Sequence, residues 1–240
     1  MKHISLSLRL SAAADWVPEG ARLCDVGTDH ASLPLWLTLR GRLRGAIATD
    51  IRQGPLQRAR HNVERYGCAD KIELRLCDGL SAVAPTETDT VTICGMGGNM
   101  IQSILQAAPW TQEETSLILQ PMKSQGELRS WLLANGYRIR KERVLLEEGH
   151  WYTLLSVHGG QSERVSLTPG EMEAGSPACW CRTDDRLGFL RYAVQRLARQ
   201  RDGLTRSSTG GDPVRLDYLR RALAELSEWR EQLEQGVWPE

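Results

Sequence analysis

Three acidic residues each follow a short strand-like run: Asp25 after Leu23-Cys24, Asp50 after Ala46-Ile47-Ala48-Thr49, and Asp78 after the run 72–76. A carboxylate at the carboxyl end of a parallel strand sits where open α/β sheets bind ligands. Asp25 could meet an ammonium group, Asp50 both hydroxyls of a ribose, and Asp78, with Gly79 and Leu80, the amino group of an adenine. Asp25-Val26-Gly27-Thr28-Asp29-His30 adds a glycine that permits close backbone approach to a ligand. A fourth apolar run ends in Gly95-Met96-Gly97-Gly98, a loop whose few side chains would let a flat base come near. Asp29 beside His30 could form an acid–base pair, or simply a hydrogen-bonded one that positions a ligand. Each acid taken singly could also be a turn or a helix cap; three at successive strand ends argue for a nucleoside.

Which nucleoside follows from what is missing. Only one glycine stands in the first turn, so the G-x-G-x-x-G dinucleotide fingerprint is incomplete. The Lys and Ser/Thr of a phosphate-binding P-loop are absent as well. A cofactor with a charged amino-acid tail needs fewer free backbone N–H groups than a pyrophosphate, which favours S-adenosylmethionine over a nicotinamide dinucleotide. The cofactor set read this way is Asp25, Gly27, Thr28, Asp50, Ile51, Asp78, Gly79, Leu80, Gly95 and Met96. Asp29 and His30 are the catalytic candidates, and Gly97 and Gly98 face the substrate.

Elements must carry these residues to one edge. Strand-like runs at 23–26, 45–49, 72–76, 90–94 and 116–119 alternate with helix-like stretches at 32–40, 54–66, 98–107 and 124–134. A short helix over 5–16 precedes them. Alternating βα units predict a mostly parallel sheet covered on both faces. After Asn135-Gly136, a helix stop, two extended runs (137–146 and 150–157) flank Glu147-Glu148-Gly149 and predict a hairpin. A parallel sheet ending in an antiparallel pair is the topology of class I S-adenosylmethionine-dependent methyltransferases. The Gly, Ser, Pro and Glu-rich stretch 158–182 reads as a loop or linker. Beyond it, Leu187, Leu190, Val194, Leu197 and Leu204, then Leu216, Leu219, Leu223, Leu226 and Leu233, follow heptad-like spacing. The Ser207–Pro213 break between them predicts an antiparallel coiled-coil hairpin. The expected division is a methyltransferase domain over 1–160, a linker over 161–182 and a helical coiled-coil domain over 183–240.

The 240 residues carry 30 basic and 30 acidic side chains, but 26 of the basic ones are Arg. Arginine favours bidentate phosphate recognition, although a GC-rich genome would also write Arg for Lys. Clusters at Arg40, Arg42 and Arg44, at Arg58, Arg60 and Arg65, at Arg138, Arg140, Lys141 and Arg143, and from Arg186 to Arg206 are candidate phosphate contacts. Arg40, Arg42, Arg138 and Arg140 are assigned to substrate binding. Four of the six cysteines lie in or beside apolar runs and read as free thiols; Cys179-Trp180-Cys181 lacks the second pair a zinc site needs. His150 and His158 lack a metal-ligand pattern, so no metal is expected. No membrane-length apolar run or cleavable leader is seen, and a cytoplasmic protein, a monomer or weak homodimer, is expected.

These residues in this order resemble a known family, the bacterial tRNA (adenine-N1)-methyltransferases of the TrmK type, which act on adenine 22. The matching segments are Leu6-Ser7-Leu8-Arg9-Leu10, Asp25-Val26-Gly27-Thr28-Asp29-His30-Ala31 with Leu33-Pro34, Asp50 with Gly54-Pro55, Asp78-Gly79-Leu80, and Gly95-Met96-Gly97-Gly98. Leu117-Ile118-Leu119-Gln120-Pro121, Leu128-Arg129 with Trp131-Leu132, Asn135-Gly136-Tyr137 and Glu147-Glu148-Gly149 before Tyr152 complete it. Met122 departs from the Asn that often follows Gln-Pro in the family, and the C-terminal segment matches in pattern only. The resemblance implies S-adenosylmethionine as methyl donor, tRNA as partner, and cofactor roles for Asp25, Gly27, Asp50 and Asp78. It places Gly95–Gly98 near the methyl group and the target base. Neutral adenine N1 already has a lone pair, so Asp29 and His30 are expected to position rather than deprotonate. The rival readings are a methyltransferase of the same fold with another RNA, protein or small-molecule substrate, a non-catalytic binding module, and a nicotinamide oxidoreductase.

Overall fold

A computed structural model describes residues 4–160, 166–206 and 212–239. Seven strands form one sheet in the order β3-β2-β1-β4-β5-β7-β6. β1 (Ala21–Val26), β2 (Leu43–Asp50), β3 (Ile72–Leu76), β4 (Thr90–Met96) and β5 (Ser116–Pro121) run parallel. β6 (Arg138–Glu147) and β7 (His150–His158) form the expected hairpin, and β7 pairs antiparallel with β5. The chain order therefore reverses direction between β1 and β4, and ligand crevices form outside the carboxyl ends at such a switch point.

The register aligns the chemistry-bearing residues. Asp25 lies opposite Ala48 on β2 and Thr92 on β4, and Asp50 lies opposite Leu76 on β3. Asp25, Asp50 and the residues after Leu76 thus meet at one edge. Helices α1 (Leu8–Trp16), α2 (Ser32–Leu39) and α3 (Gln53–Tyr66) go with one face of the sheet, where Ala13, Leu33, Leu37 and Ala59 are buried in one cluster. α4 (Gly98–Ala107) and α5 (Gln125–Ala134) cover the other, contributing Ile101, Leu105, Leu128 and Leu132. Continuous apolar strands such as Val91 and Ile93 are what a sheet buried on both faces requires.

The C-terminal part differs from its expected form. Within the expected loop, residues 169–174 are helical and 177–179 form a short 3-10 turn. α6 (Pro169–Ala174) starts with a capping box in which the Thr168 hydroxyl accepts from Glu171 N–H and the Glu171 carboxylate accepts from Thr168 N–H. Thr-Pro-x-Glu is itself a helix-start signal; the surrounding Gly and Ser obscured it. Residues 161–165 of the expected linker, and residues 207–211 of the expected turn, lie outside the described residues. α7 (Arg186–Arg206) and α8 (Pro213–Glu234) pack antiparallel, since Arg191 pairs with Glu234 and Arg215 with Gln200. Their buried face is formed by Phe189, Leu190, Ala193 and Leu197 against Leu219, Ala222, Leu223 and Leu226. The same cluster includes Val144 of β6 and Trp180.

A buried polar network joins that pair to the sheet. Arg129 of α5 donates two bonds to Glu142 Oε2, from Nε (3.0 Å) and Nη2 (2.8 Å), and a third to Met172 O (2.8 Å). Arg186 donates to Ala174 O (3.0 Å), Glu142 O (3.2 Å) and Asp184 Oδ2 (2.9 Å). Both ion pairs have side chains that are 1% exposed. Among the described residues no helix is long and apolar enough to cross a membrane.

Candidate functional site

Two cavities open at the carboxyl edge of the sheet. The larger, about 820 Å³, is lined by Asp50, Ile51, Asp78, Gly79, Leu80 and Met96 among others. The smaller, about 340 Å³, is lined by Asp25, Thr28, Asp29, His30, Arg9 and Gln120 among others. Val26, Gly27, Cys94 and Gly95 line both, so the two chambers meet at the ends of β1 and β4. Every cofactor residue expected from sequence lies on one chamber or the other.

Gly27 suits that junction because its backbone is left-handed. Its φ is +75°, and a Cβ there would stand 2.1 Å from Met96 Cε. Its N–H and that of Thr28 both donate to Thr49 O, at 2.8 and 2.9 Å, which fixes the turn against β2. On β1, Asp25 is buried, and its Oδ1 accepts from the Thr92 hydroxyl at 2.6 Å. Burial pushes the Asp25 carboxyl above the ordinary carboxylate range, with the Thr92 and Thr28 hydroxyls pulling it back. The buried Thr28 hydroxyl has no completed hydrogen bond. A buried carboxylate with no cation beside it among the described residues suits a ligand that brings a positive group.

The larger chamber has the features of a nucleoside pocket. Asp50 is 6% exposed and its Oδ1 accepts from Arg52 N–H at 2.8 Å. Thr49 Oγ1 donates to Gly79 O at 3.0 Å, so the loop after β3 is held against the end of β2. Ile51 and Met100 line this chamber and are 63% and 57% exposed. Large apolar side chains held out at a cavity mouth offer a flat ring system a surface to cover.

The loop after β4 is more divided than its four residues suggest. Gly95 (φ +79°) has open space around it, and its N–H donates to Gln120 Oε1 at 3.1 Å. Gly97 is covered by the Lys123 side chain. A Cβ on Gly98 would stand 2.4 Å from Ser124 O. Gly95 therefore provides the open approach; Gly98 is a packing glycine where the 123–124 backbone crosses α4.

Asp29 and His30 are exposed on the smaller chamber. His30 Nε2 is 3.2 Å from Asp29 Oδ2, and Arg58 of α3 bonds Asp29 Oδ1. The Arg58 bond holds the Asp29 carboxyl below the ordinary range. Asp29 is thus held as an anion and is a poor proton acceptor at neutral pH.

Four expected substrate contacts lie at the other edge of the sheet from the chambers. Arg40 and Arg42 flank the end of α2, before β2 begins at Leu43, whereas the chambers lie beyond Asp50, roughly 23 Å along the strand at about 3.3 Å per residue. Arg40 stacks on Trp36, with 3.7 Å from Cζ to the ring centroid. Arg42 donates to Ala14 O and Val17 O and pairs with Glu19, closing the end of α1. Arg138 lies opposite His158, which lies opposite Ser116 at the start of β5, and Arg140 is close enough to lower the His158 pKa. All four are at the edge away from the chambers. Residue type marked them as cations, but only the direction of each strand says which edge they reach.

Gln120, Thr92, Arg58 and Arg9 are at the site without having been assigned to it. Gln120 carried a signal, being the polar residue that ends Leu117-Ile118-Leu119. Thr92 carried none, since a β-branched residue in a central strand is ordinary.

With this geometry in place, comparison with known proteins is specific. Residues 6–155 match the family model described as a methyltransferase domain. The Bacillus subtilis tRNA (adenine(22)-N(1))-methyltransferase is 38% identical over 176 residues, covering 71% of this chain and 74% of that protein. A Streptococcus pneumoniae protein solved in complex with S-adenosyl-L-methionine superposes with a TM-score of 0.76 at 34% identity, covering 92% of this chain and 99% of that one. The M. capricolum TrmK structure, in complex with S-adenosyl-homocysteine, gives 0.79 at 27% identity, covering 95% and 99%.

Proposed function

The chain belongs to the methyltransferase-domain family that includes the tRNA (adenine(22)-N(1))-methyltransferases, and from that premise we propose that it methylates N1 of adenine 22 in tRNA. S-adenosylmethionine supplies the methyl group on its sulfonium. The observation that carries the reading is the pair of chambers joined at Gly27 and Gly95. One has the acid and apolar rim of a nucleoside pocket, and the other has a buried carboxylate that lacks a cation.

In this reading Asp50 and Asp78 hold the adenosine part, Ile51 and Leu80 cover it, and Asp25 with Thr28 faces the ammonium group. Gly79 and Met96 shape the chamber walls, and the open Gly95 lets the target base approach. Adenine N1 attacks with a lone pair it already has, so the protein need only unstack the base, orient it and exclude water. Asp29, held as an anion by Arg58, then acts with His30 to position the base. The methyltransferase part corresponds to 1–160 and the helical part to 183–240, with tRNA phosphates on arginines of the chamber edge. We place the enzyme in the cytoplasm, acting as a monomer or weak homodimer without a metal.

The test is transfer of labelled methyl from S-adenosylmethionine to tRNA, followed by nucleoside mass analysis. N1-methyladenosine that disappears when adenine 22 is replaced by guanine supports the reading. Label at another position, or in protein, overturns it.

A further inference from the structure

A third cleft opens beside the smaller chamber. It holds about 430 Å³ and is lined by His30, Gly54, Gln57, Arg58, His61 and Asn62. His30 lines the smaller chamber as well, so the two spaces adjoin at that residue. Four of the lining residues stand on α3 as two neighbouring i, i+4 pairs. Arg58 and Asn62 form a tied ridge: Arg58 bonds Asp29 Oδ1, and Asn62 Nδ2 donates to His30 O at 3.1 Å. These two bonds fix the 29–30 loop to α3 and make a firm wall. Gln57 and His61 form a free ridge beside it. Both are exposed, and neither side chain has a hydrogen-bond partner among the described residues. The lining contains no aliphatic side chain and no carboxylate.

We propose that this cleft holds the nucleotide next to the target adenine, with Gln57 and His61 reading its base. The inference rests on the proposed methylation of tRNA and adds a second contact to that same RNA. Pockets for free small molecules are lined mainly by apolar side chains. A cleft walled by amides, imidazoles and a guanidinium lacks the apolar surface to hold such a ligand. It suits one delivered by a neighbour that is already bound. With the target base positioned between Gly95 and His30, the adjoining residue of the strand is one phosphodiester away, and His30 is common to both spaces. A base lifted from its stack exposes its edges and a π face. The Gln57 amide can donate to and accept from such an edge, and the His61 ring can stack on the face. A phosphate is the other group the cleft could take. Arg58 is the one permanent cation in the lining and is already paired with Asp29, so an anion gains less there than a neutral base does.

The experiment is a protein–RNA double-mutant cycle on the full chain, read as kcat/KM for methyl transfer. The RNAs are a tRNA carrying adenine 22 and the same tRNA made abasic either just before or just after that adenine. The protein variant combines Gln57→Ala with His61→Ala. On intact tRNA it is expected to lose about 5- to 50-fold, the range of one base-edge contact with a stack. On one of the two abasic tRNAs the same substitutions change kcat/KM by no more than about twofold, because the base they read is gone. On the other the full loss persists, which tells on which side of the target the cleft lies. S-adenosylhomocysteine affinity, measured by calorimetry, stays within about twofold of wild type and shows that the variant is folded; should it fall further, Gln57→Ala and His61→Ala taken singly carry the cycle. The same loss on intact tRNA and on both abasic tRNAs overturns the assignment and makes the free ridge a backbone contact. No loss on intact tRNA overturns it as well. If the wild-type chain methylates no tRNA, it is the methylation reading that fails, and the cleft assignment falls with it.

Discussion

The mouth of the sheet and the junction with the C-terminal helices use the same residue types to opposite ends. At the junction Arg129, Glu142, Arg186 and Asp184 are buried and bond within the protein, with Arg186 Nε and Asp184 Oδ1 left over. At the mouth, among the described residues, Asp25 is buried against the Thr92 and Thr28 hydroxyls with no cation, and Arg9 is partly exposed with no oxygen acceptor within hydrogen-bond distance. A network of paired opposite charges holds elements in one arrangement, since removing one partner leaves the other buried and unpaired. An unpaired charge has free energy still to gain, and only a ligand can supply it. Charge alone does not mark a site; what the charge lacks does.

The contrast can be broken in three places. The largest effect belongs to the junction: Glu142→Ala leaves Arg129 buried and unpaired and should cost about 3–5 kcal/mol in denaturant unfolding. Replacing both partners with Leu and Met should recover most of that loss, and no recovery would mean that the pair contributes more than geometry.

The middle effect has the opposite sign. Burial raises the Asp25 pKa above its unfolded value near 3.8. Its contribution to stability is therefore full only below that value and is lost as pH rises through the raised folded pKa. At neutral pH, Asp25→Asn should stabilise the unliganded protein, on the order of 1 kcal/mol, while weakening S-adenosylhomocysteine at least about tenfold. A thermal melt showing destabilisation would mean that Asp25 serves the fold, like Glu142.

The smallest effect is expected at the far edge. Arg40→Glu loses a stack on Trp36 and should move stability by no more than about 1 kcal/mol, with tRNA affinity in filter binding unchanged within about twofold. A steep, salt-sensitive loss would place an RNA surface at that edge after all.

Much of this was legible in the sequence because it is written locally. Strand-like runs leading to Asp25, Asp50 and Asp78 marked the strands and their common edge, since parallel βα units all point the same way. The hairpin around Glu147-Glu148-Gly149 was equally plain, and Glu148 and Gly149 do adopt positive φ there. What stayed hidden depends on partners distant in the chain. Arg58 reaches Asp29 from another helix, Gln120 reaches Gly95 from another strand, and Gly98 is a glycine because the 123–124 backbone crosses it. That Arg42 and Arg138 stand at the edge opposite the chambers was not legible, because sign and density of charge do not encode direction along a strand. The heptad-like spacing after residue 187 located two helices correctly but could not tell that their apolar face also covers β6.

One contact bears on how the protein is made. The N-terminus of α1 is held from the other end of the main domain, where Leu8 N–H donates to the Glu147 carboxylate, 139 residues further on. During synthesis the first helix must wait for β6 to emerge before it has this partner, and contacts of such sequence separation form late in folding. The wall that carries Arg9 is thus among the last parts of the chamber to be set. A nascent chain lacking residues beyond about 140 would have β1 through β5 and their strand-end acids, yet no finished small chamber. Methyl-donor binding on the ribosome should then begin abruptly with the arrival of the hairpin, not gradually with chain length.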